Sequence, residues 1–543
     1  MIALLAVLIA ALSAGPLAAQ AAKVPEPEEP DIVLPEVILR IEDFSVESVE
    51  STLPSEEGTL PPARELPLPE LGELAIAEPQ LPVQPVEPAE PPPKGGAQAL
   101  SALVELGAGS MNHVVSQVSL FRPGPDPRFR LRFLHEGLDG LAGQPPGSGF
   151  NLRQDSLEGA LKQGFGSLRL DTHGSLGEEE RGLQRQPSPP PPTPFISRLY
   201  RHGDLYAELA WAIGDHWTLT GAMDSSFAAQ LLTGSLPQGQ TEVLAAPRLS
   251  LELRYPKVWM SLEGNYTYRS FLDAGPAPVN RTNLTARFGV DPLAGLHLEA
   301  SGGWLWSDLL GNLFPFSLSL SAVPSPVFSL NLEGGYKVRQ IDARDLLPDF
   351  PWGELPATIL DDHGWYTDLV LGFTLRRALS LQAGAHFSMH SAQPNPPLFQ
   401  DLATGLFPLD QGAAVRVAVD ASLRWTPAKQ TFLAASWSMQ LWDRLTFEPT
   451  TEVRLDGEAA TSSGRWGGRG SLAFRIGYSP TVPNYTLVPE LGLGVFFKPI
   501  DSVSLILEGE DLLSPLADGG VRWSWYPFKE PGIRGTFKVQ INL

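Results

Sequence analysis

The chain of 543 residues contains no cysteine. Disulfides, thiolate metal sites and a lipidated cysteine anchor are excluded with it, because each needs a sulfhydryl. Nor does any stretch reach the ~20 apolar residues that a membrane-spanning helix requires. Basic residues are also scarce, with 39 Lys and Arg against 61 Asp and Glu and a net charge of -22. Affinity for a phosphate backbone rests on cationic side chains, so nucleic acid is not an expected partner. Hydrophobic residues make up 43% of the chain, enough for a substantial folded part.

The deficit of basic residues is concentrated at one end. Residues 24 to 94 hold 17 acidic and 3 basic side chains together with 16 prolines, including the run Pro91-Pro92-Pro93. Proline lacks an amide donor and the carboxylates repel, so this region is expected to be an extended, solvated tail. Ahead of it, Ile2 to Leu12 is apolar but too short to span, and Ala19-Gln20-Ala21 offers small residues for cleavage. Residues 1 to 21 read as a signal peptide, although no Lys or Arg precedes the apolar run. Residues 22 to 100 then form the tail, placed in the periplasm. Within it, residues 32 to 44 carry Ile32, Val37, Leu39 and Ile41 in a short apolar run. Such a run can add a strand to a partner's sheet edge or fold back onto the mouth of the domain that follows.

From residue 101 to 543 the pattern changes to strict alternation. Leu249, Leu251, Leu253 and Tyr255 share one face before Pro256, and Val258, Met260, Leu262, Gly264, Tyr266 and Tyr268 continue after it. Side chains on a strand repeat every two residues, so each such stretch has one apolar and one polar face. Many stretches exceed the roughly 5 to 6 residues usual in soluble sheets. Their links alternate too. Short ones fall at 213 to 215, 256, 291 to 294, 324 to 326, 377, 426 to 429 and 499 to 501. Long ones fall near 136 to 154, 177 to 202, 226 to 245, 270 to 280, 340 to 362, 391 to 411 and 511 to 531. Trp217, Trp304, Trp306, Trp365, Trp425 and Trp442 lie near strand ends, where amphipathic rings favour the headgroup level.

These regularities predict an all-β fold: a transmembrane, antiparallel, up-and-down β-barrel with short turns on one side and long loops on the other. The strand number should be even, about 22 and within roughly 18 to 22. Phe537, Val539, Ile541 and Leu543 form the apolar face of the strand expected to close it.

The sequence Val503-Ser-Leu505-Ile-Leu507-Glu-Gly509-Glu-Asp511-Leu512-Leu513, followed by Tyr526-Pro527 and Pro531-Gly532-Ile-Arg534 before the last strand, resembles the end of a TonB-dependent outer-membrane receptor. The resemblance covers the barrel part only. It implies transport of a solute across the outer membrane of a diderm bacterium, with a periplasmic plug or energy-coupling protein as partner beside the lipid and the barrel-assembly machinery. It also implies a plug domain larger than residues 22 to 100, so the gate is expected from loops, tail or another protein. A structural or adhesive barrel, using loops such as the proline-rich 187 to 194, is the other reading.

Lumen-facing candidates follow from the polar faces. Arg128, Arg130 and Arg132 form a row that either attracts anionic solute or pairs with carboxylates such as Glu158. Arg416, Asp420 and Arg424 share one face of a later strand, and His386 and Ser388 share another. The pair His386-Phe387-Ser388 resembles the His-x-Ser of outer-membrane phospholipase A, but the residues that would follow it do not match. No enzyme is expected. His386 and His390 stand about 13 Å apart on an extended strand, too far to share an ion. Asp361-Asp362 reads as a solvated charge pair rather than a calcium site. No cofactor is called for.

Overall fold

The computed structural model describes residues 100–543, except 123–127, 142–143, 186–194, 235–237, 273–276, 377, 398–399, 402, 444, 478–488, 517–524 and 526. The apolar segment with Ile32, Val37, Leu39 and Ile41 and the loop 187 to 194 lie outside the described residues.

Among the described residues, 22 antiparallel strands close into one barrel. Each pairs with its sequence neighbours, and the ring closes where the first strand, Ser101–Gly109, meets the last, Arg534–Asn542. Leu106 stands opposite Val539 and Val104 opposite Ile541. Leu543 extends the seam, donating its backbone N–H to Ala102 at 2.8 Å and accepting one back at 3.0 Å. Closure leaves no unpaired edge, which is the condition for strands in hydrocarbon. No described helix is long and apolar enough to cross a membrane.

The alternation seen in sequence becomes a two-faced wall. On the strand Val258–Phe271, Met260, Leu262, Tyr266 and Tyr268 are exposed on the outside, whereas Thr267, Arg269 and Phe271 are buried on the inside. The same parity holds on Phe195–Ile213, with Leu205, Leu209 and Trp211 outside and Arg198 and Tyr200 buried inside. All six tryptophans singled out above are exposed on the outer face. Turns on one side shrink to two or three residues, with Gly166 and Gly214 supplying φ of 66° and 65° that side chains rarely adopt.

The long links are shorter than expected. Trp217–Gly234 and Gln238–Tyr255 stay paired from Trp217 opposite Leu253 out to Leu232 opposite Gln238, across the span 226 to 245 that the sequence pattern reads as a loop. A membrane-spanning strand needs only about 9 to 11 residues. The excess continues beyond the lipid, where the outer face is wet and alternation no longer marks a strand.

Candidate functional site

The longest described connection, residues 340 to 361, turns inward. It carries a short helix, α1 (Ala343–Asp349), whose N-cap Asp342 accepts a hydrogen bond from the Asp345 N–H at 2.9 Å. The wall carboxylate of Glu242 takes the Ala343 N–H at 3.1 Å, satisfying a donor that a helix start leaves free. After the helix, Gly353–Glu354 pairs in parallel with Phe407–Pro408 from the next long connection. Thr404 adds a bond from its hydroxyl to the Glu354 carboxylate at 2.9 Å.

This assembly is an apolar core within the barrel. Ile341, Ala343, Leu346, Leu347, Ile359, Leu406 and Phe407 are at most 3% exposed. They pack on inward residues of the wall, among them Leu183, Tyr200, Ala228, Leu232 and Phe271. A third connection contributes Trp525 and Phe528, and Trp352 stacks on Phe528 with ring centroids 3.8 Å apart. At about 25 cal/mol per Å² of apolar surface removed from water, a cluster of this kind has a strong hold on its loops.

Polar side chains of the wall fix the loop backbone. Arg269 donates to the carbonyls of Ile341 at 2.6 Å and Ile359 at 2.8 Å. Arg198 donates to the Pro351 carbonyl and, at 3.3 Å, to that of Leu347. Gln230 donates to the Gly353 carbonyl at 2.6 Å and accepts from the Leu355 N–H at 3.0 Å. Each bond satisfies a loop carbonyl or amide that burial would otherwise leave unpaired. In the loop itself, burial raises the carboxyl of Glu354 above its usual range, and burial beside Asp342 raises that of Asp345.

Asp361 and Asp362 correct the solvated reading: both are buried, at 2% and 4% exposure. Asp361 lies 3.5 Å from both Arg269 and Arg281. Asp362 accepts from His390 Nδ1 at 2.6 Å and from the N–H groups of Ser391 and Ala392 at 2.9 and 3.1 Å. Their partners sit on other strands, which no local motif reports.

The remaining candidates distribute along the inner wall. Arg128, Arg130 and Arg132 oppose the exposed Leu131 and Phe133, and Arg132 lies 3.8 Å from Glu158. Arg416 Nη2 holds Glu448 at 2.6 and 2.8 Å, and Arg424 lies over the Phe432 ring. His386 bridges Asp368 at 2.8 Å and Asp420 at 2.6 Å. Ser388 is not bonded to His386; its hydroxyl meets His390 Nε2 at 2.8 Å. Among the described residues no group of His, Asp and Glu is arranged to hold a metal ion.

His390, Ser388 and Arg416 line a cavity of about 520 Å³ between the loop core and the wall, together with Phe350, Phe447 and Trp525. Loops and strands thus converge on a partly open cavity.

No protein-family model matches the chain, and no curated protein matches it in sequence. Solved structures do match. The ferric enterobactin receptor PfeA of Pseudomonas aeruginosa, in a variant bound to enterobactin, is 10% identical, with a TM-score of 0.62 over 83% of this chain and 82% of that one. The siderophore receptor PirA of Acinetobacter baumannii is 9% identical, with a TM-score of 0.60 over 83% and 81%. The FrpB iron transporter of Neisseria meningitidis is 8% identical, with a TM-score of 0.61 over 82% and 81%. At such identities the likeness is one of fold: the chain has a 22-strand barrel similar to that of these receptors and this transporter.

Proposed function

We propose that this protein is an outer-membrane transport barrel whose lumen is gated by its own inward loops. The supporting observation is the loop core, whose backbone is held by Arg198, Gln230 and Arg269 from the wall. A barrel of 22 strands encloses a wide lumen, and an apolar core of folded loops blocks aqueous passage through the part it fills. Opening requires that core to shift, and the wall bonds set how readily it does. The neighbours bind ferric siderophores or carry iron according to their names; transport of a scarce solute too large for open diffusion fits the same architecture. Coupling to a periplasmic energy source fits it as well, with the acidic tail in the periplasm.

The test is single-channel conductance in planar bilayers. Wild-type protein should conduct little, whereas the double variant Arg198→Ala, Arg269→Ala should conduct severalfold more. A large conductance already in the wild type, unchanged in the variant, would overturn the loop gate.

A further inference from the structure

Ser388 and His390 are two residues apart on the strand Leu379–Asn395, so both point inward, opposite the exposed Phe387 and Met389. The Ser388 hydroxyl lies 2.8 Å from His390 Nε2, and His390 Nδ1 lies 2.6 Å from Asp362. Asp362 is itself fixed by two backbone N–H groups and the Ser391 hydroxyl, and its side chain is 5% exposed. A hydroxyl on one ring nitrogen and a buried, anchored carboxylate on the other is the arrangement that activates a serine for attack on carbonyl carbon. His386, two residues to the other side of Ser388, has its ring held instead between Asp368 and Asp420.

Two more features meet at this hydroxyl. Ser388 faces the cavity of about 520 Å³, whose apolar lining includes Leu346, Phe350, Leu445, Phe447 and Trp525. Arg416 stands opposite Ser388 in the strand register, lines the same cavity and is steadied by Glu448. A cation at that position would stabilise negative charge developing on a carbonyl oxygen.

We propose that Ser388 is a covalent acyl acceptor for carboxylic esters with an apolar acyl group admitted to this cavity. The Ser388 oxygen bonds to the ester carbonyl carbon while His390 Nε2 takes the hydroxyl proton. The ester C–O bond then breaks and the proton passes from His390 to the departing alkoxide, giving an acyl-serine and a free alcohol. His390 touches the reacting atoms; Asp362 is a positioning residue. Turnover is not required: one acyl group captured per chain is the event.

The full chain in detergent micelles is treated with a fluorophosphonate probe, and the adduct is located by mass spectrometry. Ser388 should label on the order of 10²-fold faster than other serines of the chain, and Ser388→Ala should lose that adduct. Asp362→Asn and His390→Gln should slow labelling by about 10²-fold or more, while His297→Gln, away from the cavity, labels as wild type. Asp362→Glu, which keeps a carboxylate, should recover much of the labelling that Asp362→Asn loses; a merely structural role of Asp362 would show no such recovery. Heat-modifiable electrophoretic mobility verifies that each variant is a folded barrel. With p-nitrophenyl butyrate, a burst of one p-nitrophenolate per chain is expected, absent in Ser388→Ala. Labelling of Ser388 no faster than of other serines, or unchanged in folded Asp362→Asn and His390→Gln, overturns the proposal. A fluorophosphonate adduct without the ester burst overturns the ester assignment. None of these readouts depends on conductance, so the transport reading stands or falls separately.

Discussion

Arg269 illustrates how much one inward side chain can carry. Its guanidinium satisfies two loop carbonyls and neutralises Asp361, and its side chain is only 3% exposed. Replacing it by Met keeps the bulk but leaves two carbonyls unpaired and Asp361 with Arg281 alone. Breaking a buried pair in this way costs about 3 kcal/mol or more, so Arg269→Met should raise amide hydrogen exchange throughout residues 340 to 361 while the wall strands stay protected. Trp352→Ala removes the stack on Phe528 and opens a void, at a cost of about 3 to 5 kcal/mol. Cells carrying it should become sensitive to a large antibiotic that wild type excludes. Neither residue announces itself in the sequence. Arg269 ends an ordinary amphipathic strand, and Trp352 lies in what reads as an exterior loop. Ser388 is a partial case: period-two spacing places it beside both His386 and His390, and only the position of Asp362 decides between them.

At the scale of elements, the inward connection is tied together at Gly353. A side-chain carbon there would stand 2.9 Å from Leu409 of the paired segment. Gly353→Val should therefore separate the two connections and raise conductance, a result obtained without touching any charged group. The same element should respond to acid. Glu354 and Asp345 have carboxyls raised by burial, so the folded loop binds protons more tightly than the unfolded loop does. Stability of the loop core then falls as pH rises from the ordinary carboxylate range through the raised values, and is fully present below that range. Hydrogen exchange of residues 343 to 354 should accordingly be slower in mild acid than at neutral pH after correction for intrinsic rates. What sequence could have offered here is composition. Leu346, Leu347, Phe350 and Trp352 are an unusual load of large apolar residues for a loop exposed to water. Alternation says nothing of them, because a coil has no fixed period.

The barrel is legible in its strand number and parity within the lipid, though not in how far its strands extend, since the determinants of parity are local. Each strand must present apolar side chains to lipid at every second position, and that constraint is written into ten or so consecutive residues at a time. Leu262→Arg, on the outer face, should cost about 2 to 4 kcal/mol and lower the yield of folded barrel, whereas Ser261→Arg on the inner face should fold as wild type. Loop folding is not local in this sense: partners such as Arg198 and Pro351, or Gln184 and Lys529, lie far apart in the chain. The proposed loop gate is testable apart from residues 22 to 100. Deleting residues 22 to 100 should leave single-channel conductance low if the loops alone close the lumen; a rise would shift the closing role to the tail.

The apolar cluster inside the barrel draws on residues from Leu183 to Phe528, and the ring is sealed by residues at the end of the chain. The loop core therefore cannot be complete until Phe528, almost at the end of the chain, has been made. On the gated reading, a copy whose wall closes before its loops have packed conducts until they do. On that reading, the time the loops take to pack is the time for which each new copy leaks.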